Sequence, residues 1–237
     1  MPKLRLDKFL RDQGITSRSE IRELVRKGMV QINDNVVRDP ATHVITGSDI
    51  VKVNGEEICY KEYVYYMLNK PKGIITATED RDAKTVLDLF PDSIRRRGAF
   101  PVGRLDKDTE GLLIVTDNGA FAHDLLSPKK HVKKLYEALL DIYPGEWSIK
   151  AFEEGVDIGG YIALPARLNF ISRSCPVIAQ VEIYEGKFHQ VKRMFKAVGA
   201  TVIELKRLRM GEVWLDKSLR PGEYREMTDE EIAMLAR

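Results

Sequence analysis

The 237-residue chain is 43% hydrophobic and 31% charged, with 17 Gly and 10 Pro, a composition that excludes collagen, fibres and disorder and can support a packed core. Its 38 basic and 36 acidic side chains leave a net charge of +2, which by itself implies neither a nucleic-acid nor a membrane partner. Two isolated cysteines, Cys59 and Cys175, support neither a disulfide framework nor a cysteine zinc site, and no apolar run suits a bilayer or a signal peptide, so a cytoplasmic protein with no membrane association is expected.

In chain order, Leu6, Phe9 and Leu10 predict a short helix within 4–13, closed at Gly14. Ser17 and Glu20 form a capping-box pair ahead of Ile21, Leu24 and Val25, which predicts a second helix ending near Gly28. Short strands follow at 29–32 and 36–38 around the turn Asn33-Asp34-Asn35, and another at 50–53. Residues 1–58 therefore read as a small recognition unit, and 59–237 as a second domain. Arg18, Arg22 and Arg26, spaced four apart with Lys27 behind them, would line one side of the second helix, where guanidinium groups suit RNA phosphates. The plainer alternative is a solvated helix face, with Glu20 and Glu23 interleaved.

Beyond residue 59, strands are predicted at 63–68, 112–116, 136–142, 163–171, 177–184 and 202–208. Helices are predicted at 83–89, 119–126, 145–154 and 188–198, with a last one opened by Thr228 and Glu231. Strands that follow one another without an intervening helix favour an α+β fold with a mixed, largely antiparallel sheet. Phosphate-loop, dinucleotide, nucleophile-elbow and HExxH signatures are all missing, so no cofactor is expected.

Three segments could carry chemistry. In 103–116, a turn held by Gly103 and Gly111 would place Asp106 at the mouth of the sheet, flanked by Arg104 and Lys107, whose charges would keep it ionised. Such a carboxylate could be a nucleophile, a general base, a metal ligand, or part of an ordinary charged loop. A metal-dependent nuclease using Asp106 and Asp108 is one alternative, although alternating acids in a strand would face opposite sides. The basic loop 129–137 ends on Tyr136, and 185–195 carries His189, which has no second ligand at metal spacing, so no metal site is expected.

Together these segments resemble the pseudouridine synthases of the RsuA type, over nearly the whole chain. Residues 103–116 resemble that family's GRLDxxTxGLLxxT signature, Lys134 and Tyr136 its KxY element, and 185–194 its EGxxHQVKRM segment. Residues 70–73 resemble its NKPxG loop, Leu205-Lys206-Arg207 with Gly211 its LxRxxxG, and 1–58 an S4-like RNA-binding domain. The resemblance implies that Asp106 is the catalytic aspartate, Tyr136 the active-site aromatic and Lys192 the basic partner of Asp106, at a position where many relatives carry arginine. It further implies that Leu205, with Arg104, His189, Gln190 and Arg193, surrounds the substrate, a uridine in ribosomal RNA.

Whether Asp106 would attack base or sugar, or assist glycal formation, is left open by the residues. The HQVKRM wording, and Arg237 following closely on the last helix with no long basic tail, point to 16S rRNA or a small-subunit assembly intermediate; a monomer is the expected state. A 23S rRNA enzyme and a non-catalytic assembly factor are the alternatives.

Overall fold

The computed structural model describes residues 3–127 and 130–236. Lys129 of the predicted basic loop and the final Arg237 lie outside the described residues. The chain divides into two units, one of Met1–Val64 with Phe90–Phe100 and one of Tyr65–Leu89 with Pro101–Arg237.

In the first unit the predicted helices are Leu6–Asp12 and Arg18–Arg26. The Ser17 hydroxyl accepts the Glu20 N–H at 3.4 Å while the Glu20 carboxylate accepts the Ser17 N–H at 3.1 Å, so two first-turn donors are satisfied reciprocally. Phe9, Leu10, Ile21 and Val25 bury their apolar faces with Val30, Val51 and Val53 of an antiparallel sheet. That sheet has the order Asn35–Val36, Val30–Ile32, Val51–Val53, Glu56–Glu57. Asn33 and Asp34 both take positive φ, 49° and 64°, so the hairpin closes on two residues and its return strand starts at Asn35, one residue before the predicted 36–38. A pair absent from the prediction, Lys3–Arg5 with His43–Ile45, has three residues per strand and buries fully only Val44, too little to show a period of two.

Phe90–Phe100 belongs with this unit although it lies within the predicted second domain. Its short helix Asp92–Arg96 sits against the Gly14 turn so closely that a Cβ on Gly14 would lie 2.0 Å from the Ser93 carbonyl oxygen. Arg96 Nε donates to the Gly14 carbonyl at 3.1 Å, and Arg97 Nη1 to Gln13 Oε1 at 2.9 Å.

Among the described residues the second unit is built on a nine-stranded sheet. Its main path runs Arg167–Ser172, Val177–Ile183, Lys134–Leu140, Val202–Met210, Thr109–Thr116, Tyr65–Lys70, Tyr224–Glu226. Along this path only Val202–Met210 beside Thr109–Thr116 is parallel, so the fold is α+β with a mixed, largely antiparallel sheet, as expected. Gly111 does not hold the turn as predicted; it lies inside a strand at φ 103°, where a Cβ would come within 2.2 Å of the Arg207 carbonyl oxygen. Glycine is what lets the parallel neighbour approach there.

Two elements differ from prediction for local reasons. The helix expected at 83–89 is only a 3-10 turn, Val86–Leu89, because the Asp88 carboxylate accepts both the Thr85 N–H (2.7 Å) and hydroxyl (3.0 Å), and Pro91 follows. The strand expected at 163–171 begins at Arg167, since Pro165 has no N–H and Ala163 and Ala166 donate instead to the Val156 and Phe152 carbonyls. Helices Trp147–Glu154 and Gln190–Ala197 pack through Phe152 on Phe195, ring centroids 5.1 Å apart. The last helix, Asp229–Ala236, is capped as predicted by reciprocal Thr228 and Glu231 bonds at 2.9 and 3.2 Å.

Candidate active site

Strand register brings the site together. Tyr136 pairs with Arg207, Ala138 with Leu205, and Leu205 in turn with Thr109, so three neighbouring strands carry buried Tyr136 and Leu205 up to the turn that precedes Thr109. That turn closes when the Thr109 N–H donates to the Asp106 carbonyl at 3.1 Å. Beneath it lies Lys70, fully buried, whose ammonium donates to the carbonyls of Pro71, Asp106 and Thr109 at 3.0, 3.1 and 3.0 Å. Burial pushes this lysine down to about 8, a cost accepted in fixing the loop from inside.

The cations nearest Asp106 are not its sequence neighbours. Lys192 Nζ stands 3.5 Å from Oδ2 and His189 Nε2 3.6 Å from Oδ1, while neither Arg104 nor Lys107 forms an ion pair with it among the described residues. Lys192 is closer to Asp108, at 2.5 Å, and that contact holds the Asp108 carboxyl below its ordinary range. The two acids therefore do not face opposite sides: they sit in the turn before the strand, where the chain reverses, and both reach one ammonium.

The helix carrying Lys192 starts at Gln190, two residues later than predicted, because the Gln190 side chain accepts the Lys187 N–H at 2.9 Å and donates to Glu185 at 3.0 Å, leaving His189 in the left-handed region at φ 50°. A pocket opens between these elements, lined by Arg104, Asp106, Tyr136, His189, Gln190 and Leu205 among others. Gln190 lines it with both ends of its amide already bonded to the loop. Arg104 is exposed and makes no hydrogen bond or ion pair among the described residues, so its guanidinium is available to a ligand. Arg193, predicted with this group, is not among the lining residues; one position past Lys192 turns it roughly 100° around the helix, and it donates to the Gly159 carbonyl at 3.1 Å.

Two further residues reach the site that the motif reading left without a role. Arg207 is buried, donates through Nε to the Leu112 carbonyl at 2.7 Å and through Nη1 to the Tyr136 hydroxyl at 3.5 Å, and leaves Nη2 buried with no partner among the described residues. Lys134 donates to the Val132 carbonyl at 2.7 Å, and burial, with Arg207 nearby, pushes it down to about 8. Their signal was in the sequence as the K of KxY and the R of LxR, but only the pairing of two adjacent strands brings Arg207 to the Tyr136 hydroxyl. In the first unit Arg18, Arg22 and Arg26 are exposed, with side chains unpaired among the described residues, whereas Lys27 is tied to Glu23 at 2.7 Å.

Residues 64–197 match the family model for RNA pseudouridylate synthase, and residues 4–51 match that for the S4 domain. The chain belongs to the RNA pseudouridylate synthase family. The synthase is thus an isomerase, and it is 47% identical to an uncharacterized RNA pseudouridine synthase of Bacillus subtilis (strain 168), over 98% of each chain. It is 39% identical to ribosomal small subunit pseudouridine synthase A of Vibrio cholerae serotype O1, over 98% of this chain and 99% of that one. Against ribosomal large subunit pseudouridine synthase B of Bacillus subtilis (strain 168) it is 37% identical, over 98% and 95%. A crystal structure of a pseudouridylate synthase, 34% identical, superposes with a TM-score of 0.69 over 98% of this chain and 99% of that one.

Proposed function

We propose that the synthase converts a single uridine of 16S ribosomal RNA, free or in a small-subunit assembly intermediate, to pseudouridine, acting as a cytoplasmic monomer. In this reading residues 1–58 recognise RNA and 59–237 carry the reaction. The observation that carries it is the convergence of Asp106, Tyr136 and Leu205 on one pocket, with the Lys192 ammonium 3.5 Å from Asp106. The full-length likeness to the Vibrio small-subunit enzyme and the HQVKRM run at 189–194 favour the small-subunit substrate.

The isomerisation breaks the ribose C1′ to N1 bond, turns the base, joins C1′ to C5, and moves a proton from C5 while N1 gains one, with no net redox change. A uridine must first leave its stack, at a cost of roughly a few kcal/mol, which Tyr136 below the base and Leu205 as an apolar wall help to offset. Asp106 is the group that breaks the glycosidic bond, and Lys192 keeps its charge compensated at 3.5 Å. Tyr136 takes the C5 proton, with the Arg207 guanidinium beside its hydroxyl to stabilise the oxygen as it gains charge. Arg104 and His189 hold the flanking backbone, and Arg18, Arg22, Arg26 and Lys27 the more distant phosphates. Gln190 and Arg193 support this surface by fixing the loop that bears His189, Gln190 through the Lys187 N–H and Arg193 through the Phe188 carbonyl at 3.5 Å.

The test is to incubate the protein with unmodified 16S and 23S RNA and with assembly particles, then to map pseudouridine by carbodiimide-dependent reverse-transcription stops. One new stop in 16S RNA that disappears with Asp106→Asn is the expected result. A stop in 23S RNA alone overturns the substrate, and turnover by Asp106→Asn overturns the role of that residue.

A further inference from the structure

We propose that Asp108 is a positioning residue for the reaction: it anchors the Lys192 ammonium, so that one point charge gives Asp106 the fixed compensation a two-pronged guanidinium would otherwise supply. The proposal rests on the roles of Asp106 and Lys192 given above.

The geometry points to it in three ways. The Lys192 ammonium is 2.5 Å from Asp108 Oδ1 and 3.5 Å from Asp106 Oδ2, so its short hydrogen bond goes to the residue not assigned to the chemistry. Among the described residues the Asp106 carboxylate accepts no side-chain hydrogen bond; His189, at 3.6 Å, is its other neighbour. Asp106 is therefore compensated in charge while both oxygens keep lone pairs free for the nucleoside. Thirdly, the Asp108 side chain is 70% exposed, and an ion pair in that setting adds little to folding. What it changes is where the ammonium sits.

A lysine needs such an anchor and an arginine does not. The lysine head is a compact charge on a flexible four-carbon stem, with no fork to engage two carboxylate oxygens at once, whereas a guanidinium can bind a carboxylate in a bidentate way and fix its own orientation. Here the lysine side chain is only 23% exposed and emerges from the helix Gln190–Ala197, so the head has little freedom to choose another partner once Asp108 holds it. Asp108 lies two residues past Asp106 in the turn clamped from below by Lys70, which places both carboxylates at fixed distances from one nitrogen. Without Asp108 the ammonium would close on Asp106 itself and occupy the oxygen needed for attack.

The decisive experiment is a double-mutant cycle between D108N and K192R, read as kcat and KM on whichever ribosomal transcript the unaltered protein modifies, with D106N alongside. With Lys192 present, D108N is expected to lower kcat about tenfold, since displacement of a catalytic group by an ångström or less costs that much or more, while KM stays within about twofold and the melting temperature is unchanged. In the K192R background the same change should cost less than about twofold. An unchanged kcat, an effect confined to KM, or an equal penalty in both backgrounds overturns the proposal while leaving the activity intact. Turnover by D106N is a different failure: it removes the role of Asp106 and this proposal with it.

Discussion

Half-buried Lys134 and buried Arg207 are two cations that line one cavity with Tyr136, with no carboxylate paired to either among the described residues. Burying charge in this way costs stability, and it makes sense where negative charge arrives from outside, as a phosphate or as a phenol oxygen gaining charge. The cost has a pH signature. Lys134 titrates near 8 in the folded protein against an ordinary lysine value of 10.5, because burial disfavours its charged form. Between those values the unfolded chain binds the extra proton, so stability rises with pH through that window; below about 8 the penalty is fully present. Lys134→Met removes the titration and keeps most of the volume. The variant is expected to be more stable than the parent at pH 7, on the order of 1–3 kcal/mol, and the advantage should shrink between pH 8 and 10.5. Parallel urea-unfolding midpoints for the two proteins across that range would show that Lys134 is not held at low affinity for its proton.

At the scale of elements, the site depends on one parallel contact, and that contact depends on one glycine. Gly111 takes φ 103°, and a Cβ there would meet the Arg207 carbonyl oxygen at 2.2 Å and its nitrogen at 2.8 Å, both backbone atoms that cannot swing away. Gly111→Ala should therefore cost at least about 2 kcal/mol and push the strand that carries Leu205 and Arg207 away from Thr109–Thr116, lowering kcat/KM tenfold or more. Gly119→Ala, at a position with open space and an ordinary φ, is the control and should leave both within error. Equal urea midpoints for the two variants would mean the strands tolerate the side chain. Much of this scaffold is legible in the sequence: the Ser17 to Glu20 box, the helix at 119–126 and the strands at 177–184 and 202–208 follow from caps and apolar periods. The turn around Asp106 is visible as charge density between glycines. Long-range partners are not visible in this way. Nothing local marks Lys192, 86 positions beyond Asp106, as its nearest ammonium, nor says that Gly111 faces Arg207, since register between strands is set by tertiary packing. Short pieces such as Lys3–Arg5 with His43–Ile45 are lost for a simpler reason, having too few residues to display a period.

For the whole molecule, the division into units does not follow the order of the chain. Phe90–Phe100 carries buried Phe90, Ile94 and Ala99, and its Arg96 and Arg97 bond to Gly14 and Gln13, so a cut made after residue 58 would strip this segment of its partners. A segment leaves and re-enters the second unit through residues 89–90 and 100–101, which ties the stability of helices Leu6–Asp12 and Arg18–Arg26 to a stretch lying in the chain between strands of the nine-stranded sheet. The consequence is cooperative opening of 90–100 with the helices rather than with that sheet. Phe9, fully buried and stacked on Tyr60 with centroids 5.5 Å apart, is the place to test it. Phe9→Ala removes a large core side chain and should cost the first unit about 3–5 kcal/mol. In the full-length variant, amide hydrogen exchange is expected to accelerate together in 6–53 and 90–100, while the strand Thr109–Thr116 keeps the protection it has in the parent protein. If 90–100 instead stays protected alongside 109–116, that segment is held by the nine-stranded sheet, and the arginine bonds to Gln13 and Gly14 contribute little to its order.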